Sequence, residues 1–296
     1  MERLPLYGYR ILDLTTGWAG AYGARLLADM GAEVIRVEAT DSAPTRSATF
    51  KRLNRNQYAC TLDLAQPRGR DLFLRLVALS DAVVEDYRPQ EWEGLGLSYD
   101  ALRSARADII LVSLSSASQG TGAGSGEPVA GVAAAGALAL ALWHRRRTGE
   151  GQHVDVAGWE TMVGLIGEQV VGYSMKGRLT PQAITEALQA TGAPTGQAGV
   201  AAAPALGVPA LFDDPHLRAR GFWESVSHPE GGTQDVDGVP WRLSRSPAHI
   251  RLPAPRLGEH NDYVLRGLLG LSEEEVQALG EAEVIGGGPD TGRGGL

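Results

Sequence analysis

Trp143-His-Arg-Arg-Arg-Thr-Gly-Glu-Gly-Gln-His-Val-Asp-Val156 is the stretch whose reading decides the fold. It follows an Ala/Leu run, residues 129–143, that is apolar on every side and reads as a buried helix. Arg145, Arg146 and Arg147 then meet the negative end of that helix's dipole, a structural role that outweighs substrate binding. The Gly149-Glu-Gly151 turn reverses the chain, and residues 153–156 start a strand. Helix, arginine exit, tight turn and strand, in that order, fix an α/β class.

Upstream, strands and helices alternate. Residues 10–14 form a short aliphatic strand, 15–20 a glycine-punctuated loop, and the stretch to Met30 an amphipathic helix. Gly31 can take the left-handed conformation that ends a helix, and residues 33–38 resume as a strand, completing a right-handed βαβ unit. Strand 58–64, helix 68–79, strand 82–86, helix 99–105 and strand 109–114 repeat the pattern. The expectation is a Rossmann-like parallel sheet with covering helices.

The texture changes after Val156. Residues 159–175 read as one more helix, but 178–211 are dominated by Ala, Gly, Pro, Thr and Gln, with one amphipathic piece at 184–191. Residues 213–221 read as a short helix capped by Asp and closed by glycine, and 223–243 as a hairpin with turn glycines at 231, 232 and 238. Helices at 262–269 and 272–279 follow, the second with Glu274 in its first turn. The expected organisation is a large domain at 1–177, a reduced small α+β domain at 178–248, C-terminal helices at 249–285 returning to the large domain, and a glycine-rich disordered tail at 286–296.

The chain has 296 residues, 43% hydrophobic and 21% charged, which is ordinary for a globular protein and suggests two domains. A net charge of -8 and a pI near 5.3 argue against nucleic acid or an anionic membrane as partner, since both need a positive field. Cys60, the single cysteine, excludes an internal disulfide and reads as a small buried residue in a strand. Neither Cys-x-x-Cys nor His-x-x-x-His spacing occurs, so no metal site is expected. An acid and a proline interrupt the N-terminus where a signal peptide needs an apolar run, and residues 129–143 are short for a membrane span. A cytoplasmic protein without a membrane partner is expected.

Two glycine loops carry the chemical candidates. Gly17, Gly20 and Gly23 precede Glu38, placed where a dinucleotide fold keeps its ribose-binding acid. The spacing is Gly-x-x-Gly-x-x-Gly, however, and bulky Trp18 stands where a backbone should approach a pyrophosphate. An NAD-dependent oxidoreductase is therefore the least favoured reading. The second loop, Gly120-Thr-Gly-Ala-Gly-Ser-Gly126, enters the apolar helix; its amides can hold a phosphate or carboxylate, and it reads equally well as a flexible connector. No Gly-Lys-Ser/Thr follows. Ser125 and Glu127 are the side chains there with nucleophile or base potential. The six histidines are scattered, with no triad spacing.

Six ordered blocks, at residues 10–38, 53–64, 83–97, 143–162, 213–221 and 257–265, together resemble the family III CoA-transferases, which include formyl-CoA and carnitine CoA-transferases and the alpha-methylacyl-CoA racemases. The resemblance implies a Rossmann-like large domain, a small domain and an interlocked homodimer. It also implies an acyl-CoA thioester and a carboxylic acid as substrates, with no tightly bound cofactor. In the transferases of this family an aspartate takes the acyl group as a mixed anhydride. Here the matching stretch, Thr121-Gly-Ala-Gly-Ser-Gly-Glu-Pro-Val129, puts Ser125 on that position and Glu127 two residues away, and a preceding segment of a few dozen residues is missing. The racemase members use a His and Asp pair, which the loop lacks. By the same resemblance Trp18, Ala19, Asp86, Tyr87, Arg88 and Leu95 contact CoA, with Asp86 in place of an asparagine, while Ala39 and Gln57 replace basic residues. The readings that follow are a CoA-transferase using Glu127 or a residue of a partner chain, a catalytically degenerate homologue that binds or dimerises, and a racemase-like enzyme.

Overall fold

The computed structural model describes residues 4–42, 47–115, 126–177, 207–229 and 232–287. Six strands, β1 (Arg10–Asp13), β2 (Glu33–Glu38), β3 (Gln57–Thr61), β4 (Ala82–Glu85), β5 (Ile110–Ser115) and β6 (His153–Ala157), make one parallel sheet in the order β3-β2-β1-β4-β5-β6. The order reverses between β1 and β4, and such a reversal opens a crevice at the carboxyl ends of the strands. The β6 strand of the deciding stretch closes the sheet, with His153 beside Leu111. The Rossmann-like expectation therefore holds.

Strand residues are apolar on both faces because helices cover both. Leu12, Ile35, Val83 and Leu111 face one core with Leu72, Phe73 and Leu76 of α3 (Pro67–Ala78). Their neighbours Ile11, Val34, Val84, Ile110 and Val112 face the other, with Ala24, Leu27 and Ala28 of α1 (Trp18–Asp29) and Ala134 and Leu138 of α6 (Glu127–Thr148). Period-two alternation along each strand feeds the two cores separately.

Helix α6 corrects the reading of a helix buried all round. It has 22 residues, enough by length to cross a bilayer. Its inner stripe of Ala130, Ala134, Leu138 and Ala141 is buried, while Leu140 and Trp143 are 69% and 58% exposed. The stripe is narrow because α1 approaches closely: a Cβ on Gly131 would lie 2.5 Å from the Ala19 carbonyl oxygen. At the helix exit, Arg145 does more than meet a dipole. It is buried, its Nη2 lies 2.6 Å from Asp81 Oδ1 and its Nη1 donates to the Asp81 carbonyl.

Residues 159–175 form two helices, not one: α7 (Gly158–Leu165) and α8 (Gly167–Lys176). Ile166 leaves helical geometry at φ -109 and ψ 23, between Gly164 and Gly167, which oppose helix continuity by their backbone freedom. Short helices Val208–Phe212 and Pro215–Ala219 follow, the latter capped by Asp214 accepting from Leu217 N at 2.8 Å. An antiparallel hairpin, β7 (Trp223–His228) and β8 (Gly232–Asp237), forms the second sheet. The segment read as helix 262–269 is a π-helix over Tyr263–Leu268, and Ser272 caps helix Glu273–Glu281 through a capping box with Glu275. Val264, Leu265, Leu279 and Val284 sit in the α3-side core. Order extends into the stretch expected to be tail, since Gly286 N donates to Thr61 Oγ1 at 2.9 Å and its carbonyl accepts from Asn261 at 3.1 Å. The helix expected at 184–191 and the glycine loop up to Ser125 lie outside the described residues.

The hairpin is fastened to the C-terminal half of α1 by buried charge. Asp237 accepts from Arg25 at 3.2 Å and from Arg52 Nε at 2.8 Å. Asp29, fully buried, accepts from Arg55 Nη2 at 2.8 Å and from Asn56 at 2.6 Å. Arg251 donates to the Ala28 carbonyl at 2.6 Å. Burial pushes the Asp237 carboxyl up, but the Arg52 hydrogen bond and the charges of Arg25, Arg52 and Arg55 prevail and hold it below the ordinary range.

Candidate active site

Acidic residues shape the crevice from the strand ends outward. Asp13 at the end of β1 accepts from Thr15 N at 2.9 Å, Asp63 beyond β3 from Ala65 N at 2.9 Å, and Glu85 at the end of β4 from Tyr87 N at 2.7 Å. The same device, an acid holding the amide two residues on, fixes three loops as they leave the sheet.

The first of those loops delivers Gly17, the N-cap of α1. Asp86 sits against it, accepting from Thr16 N at 2.8 Å and from Gly17 N at 2.6 Å. The fit is close, because a Cβ on Gly17 would lie 2.8 Å from Asp86 Oδ2 and the carboxylate would have to shift. Burial raises the Asp86 carboxyl above the ordinary range, against the pull of the Thr16 and Gly17 amides. A dinucleotide fold uses this helix N-terminus for a pyrophosphate. Here the chain's own carboxylate occupies it, and Trp18, its ring 5.2 Å from that of Tyr22, begins the helix.

Glu127 is the first residue of α6 and is buried, 5% exposed. Its Oε2 accepts from Ala19 N at 3.1 Å, so the carboxylate lies where the positive ends of α1 and α6 meet. Glu127 and Ala19, two sequence-predicted site residues, are thus in direct contact. Trp18 adjoins them and Ala19 itself is buried. A Cβ on Gly126 would collide with Met162 Sδ of α7. Ser125 lies outside the described residues.

The remaining candidates line the β4 side. Tyr87 stacks on Trp92 with centroids 5.7 Å apart, and Arg88 is exposed, 3.9 Å from Glu91. Leu95 ends helix α4 (Pro89–Gly94) and packs on the α3-side core. Gln57 is fully buried at the start of β3, on the amino-terminal edge of the sheet, which removes it from any set of phosphate contacts in the crevice. Ala39 follows β2 on the crevice side.

Sequence reading missed one group. Ser113 Oγ lies 2.8 Å from His153 Nε2 and also hydrogen-bonds Glu85, whose carboxyl burial raises above its ordinary range. The pairing of β4 with β5 sets Glu85 beside Ser113, which no local sequence pattern signals. Arg36 also escaped notice. It donates to Asp13 at 3.1 Å, lies 3.5 Å from Glu38 and sits over the Phe50 ring. Cys60 is an inert thiol, pushed up to about 12 by burial and then by Glu38. Among the described residues no three His, Cys, Asp or Glu side chains converge as a metal site.

A doubly wound parallel sheet whose crevice joins two helix N-termini at a buried carboxylate defines a Rossmann-like α/β class. Within it the chain belongs to CoA-transferase family III, whose sequence pattern matches residues 6–128, 116–196 and 185–261. Succinyl-CoA--D-citramalate CoA-transferase of Chloroflexus aurantiacus is 27% identical over 394 aligned positions, taking in 95% of this chain and 98% of that protein. The alpha subunit of succinyl-CoA--L-malate CoA-transferase from the same organism is 25% identical over 399 positions, with 96% and 93% covered. These alignments are longer than the 296-residue chain, so the relatives carry segments that it lacks. The fold recurs in Rv3272 from Mycobacterium tuberculosis, at TM-score 0.72 and 24% identity over 88% of this chain and 99% of that one. A CAIB/BAIF family protein from Brucella suis gives TM-score 0.72 at 20% identity, with 90% and 100% covered. These relatives do not favour the racemase, degenerate-homologue or oxidoreductase readings.

Proposed function

We propose that the chain transfers CoA between an acyl-CoA thioester and a carboxylic acid, with Glu127 as the carboxylate that takes the acyl group. The observation that carries this is the Glu127 carboxylate held by Ala19 N at the meeting point of α1 and α6. A Glu127 oxygen adds to the thioester carbonyl, the carbon–sulfur bond breaks, and the thiolate of CoA leaves a mixed acyl–glutamyl anhydride. The thiolate then adds to the glutamyl carbonyl and releases the first acid, giving a glutamyl–CoA thioester. The second acid's carboxylate repeats the two steps in reverse, leaves with CoA and restores Glu127. Helix N-termini favour the negative charge that builds on oxygen in each addition.

Trp18 and Ala19 on one wall and Asp86, Tyr87 and Arg88 on the other flank the thioester in this reading, with Leu95 behind them and Ser125 preceding the nucleophile. A cytoplasmic, interlocked homodimer with a small domain at 178–248 belongs to the same reading. Exposed Leu140, Trp143, Trp159, Leu165, Val171 and Met175 on α6, α7 and α8 support it as a face for a second copy to cover.

The test is chemical trapping. The full chain is incubated with an acyl-CoA panel, quenched with hydroxylamine, and weighed intact and after proteolysis. A hydroxamate on Glu127 is expected, and Glu127→Gln should lose it. Absence of adduct and of transfer across donors and acceptors overturns the reading, and an adduct persisting in Glu127→Gln overturns the nucleophile.

A further inference from the structure

The crevice that would receive a polyanionic nucleotide is built largely of acids. Asp13, Glu38, Asp63, Glu85 and Asp86 end or follow β1 to β4, and the first two, with Glu85, are almost fully buried. Arg36, which lies among them, is committed to Asp13 and Glu38. Arg88 is exposed on the crevice wall and lies 3.9 Å from Glu91, so its charge is already partly met.

Two places that phosphates would use are also filled by the chain. The Asp86 carboxylate holds the Thr16 and Gly17 amides at the N-terminus of α1. The C-terminal segment covers the carboxyl end of β3: Asp63 N donates to the Val284 carbonyl at 2.8 Å, and Gly286 N to Thr61 Oγ1 at 2.9 Å. A Cβ on Gly286 would come within 3.2 Å of Thr40, the residue after Ala39. Acids at the strand ends and occupied amides oppose phosphate, whereas the aromatic side chains of Trp18 and Tyr87 suit a neutral, largely apolar arm.

Resting on the transferase reading above, we infer that this chain recognises its thioester substrate through the pantetheine arm, so that its substrate class is pantetheine thioesters with or without the nucleotide.

Calorimetric titration of the full chain with CoA, dephospho-CoA and pantetheine tests this. Dissociation constants within about tenfold of one another are expected, corresponding to little net phosphate binding. CoA binding more than about tenfold tighter than pantetheine overturns the inference, as does failure of pantetheine to bind. Equal binding without turnover of any acyl thioester sinks the transferase reading and leaves the inference standing. Ala39→Arg adds a cation at the end of β2 and should tighten CoA by about tenfold while leaving pantetheine unmoved; unchanged CoA binding in that variant counts against the inference.

Discussion

Two aspartates press against opposite parts of helix α1, and their environments push them in opposite directions. Asp86 meets the N-terminus through the Thr16 and Gly17 amides and is raised above the ordinary carboxyl range, while Asp237, near the C-terminal half, is held below it by arginines. Both are partly buried, so burial alone does not separate them. What differs is the partner: neutral amides compensate a buried charge incompletely, and guanidinium groups overcompensate it. The difference teaches that one end of α1 is held through neutral amides, and the other is locked by arginines.

The largest expected effect falls at the N-terminal end. Glu127→Gln should lower transferase turnover by about 10⁴-fold, on the scale of removing a nucleophile, with denaturation midpoints close to the parent's. A large loss of stability alongside would show that Glu127 is a structural cap, erasing the contrast with Asp237.

At the locked end the cost should appear in stability. Asp237→Asn leaves Arg25 and Arg52 short of a counter-charge, and urea denaturation should register a loss of about 3 kcal/mol with turnover near that of the parent. A change under about 1 kcal/mol would mean that the network is a surface ornament.

Gly131→Val probes the helix contact that brings the two ends' supports together. The added atoms meet the Ala19 carbonyl oxygen, so α1 and α6 must separate, at a cost of about 2 kcal/mol by thermal melting and with weaker trapping at Glu127. Unaltered trapping would uncouple the helix spacing from the site.

The smallest effect is the pH dependence, and its sign distinguishes the ends. A depressed carboxyl stabilises above its unfolded pKa, so the advantage of the parent over Asp237→Asn is lost as pH falls through the folded pKa of Asp237. A raised carboxyl works the other way: the parent loses ground to Asp86→Asn as pH rises through the folded pKa of Asp86. Melting curves of the three proteins across the acid range would show opposite slopes; parallel slopes would break the comparison.

Much of the scaffold was legible because its signals are local. Strand β2 appears at residues 33–38 as read, and helix Tyr99–Ala105 matches in both bounds, since apolar periodicity and stop residues need no knowledge of distant chain. The capped helix after Asp214 was legible for the same reason. Helix α6 was misread as buried all round because an Ala-rich sequence carries almost no amphipathic contrast, so only the close approach of α1 selects its inner face. The break at Ile166 hid in a continuous apolar pattern. Within the site, Glu127 and Ala19 were each identified, but not as a pair, and the Glu85, Ser113 and His153 group went unnoticed because its members lie on three different strands.

By itself the sequence determined the alternation of strands and helices, the two-faced apolar strands, the caps, and the blocks that mark the family. All of these depend on residues within a few positions of one another, where backbone geometry dictates the pattern. Only the tertiary structure decided that Glu127 reaches an amide 108 residues away, that Asp86 seals a helix start 69 residues away, and that Asp237 binds an arginine 212 residues away. Those meetings depend on strand order and helix spacing, which no local periodicity encodes.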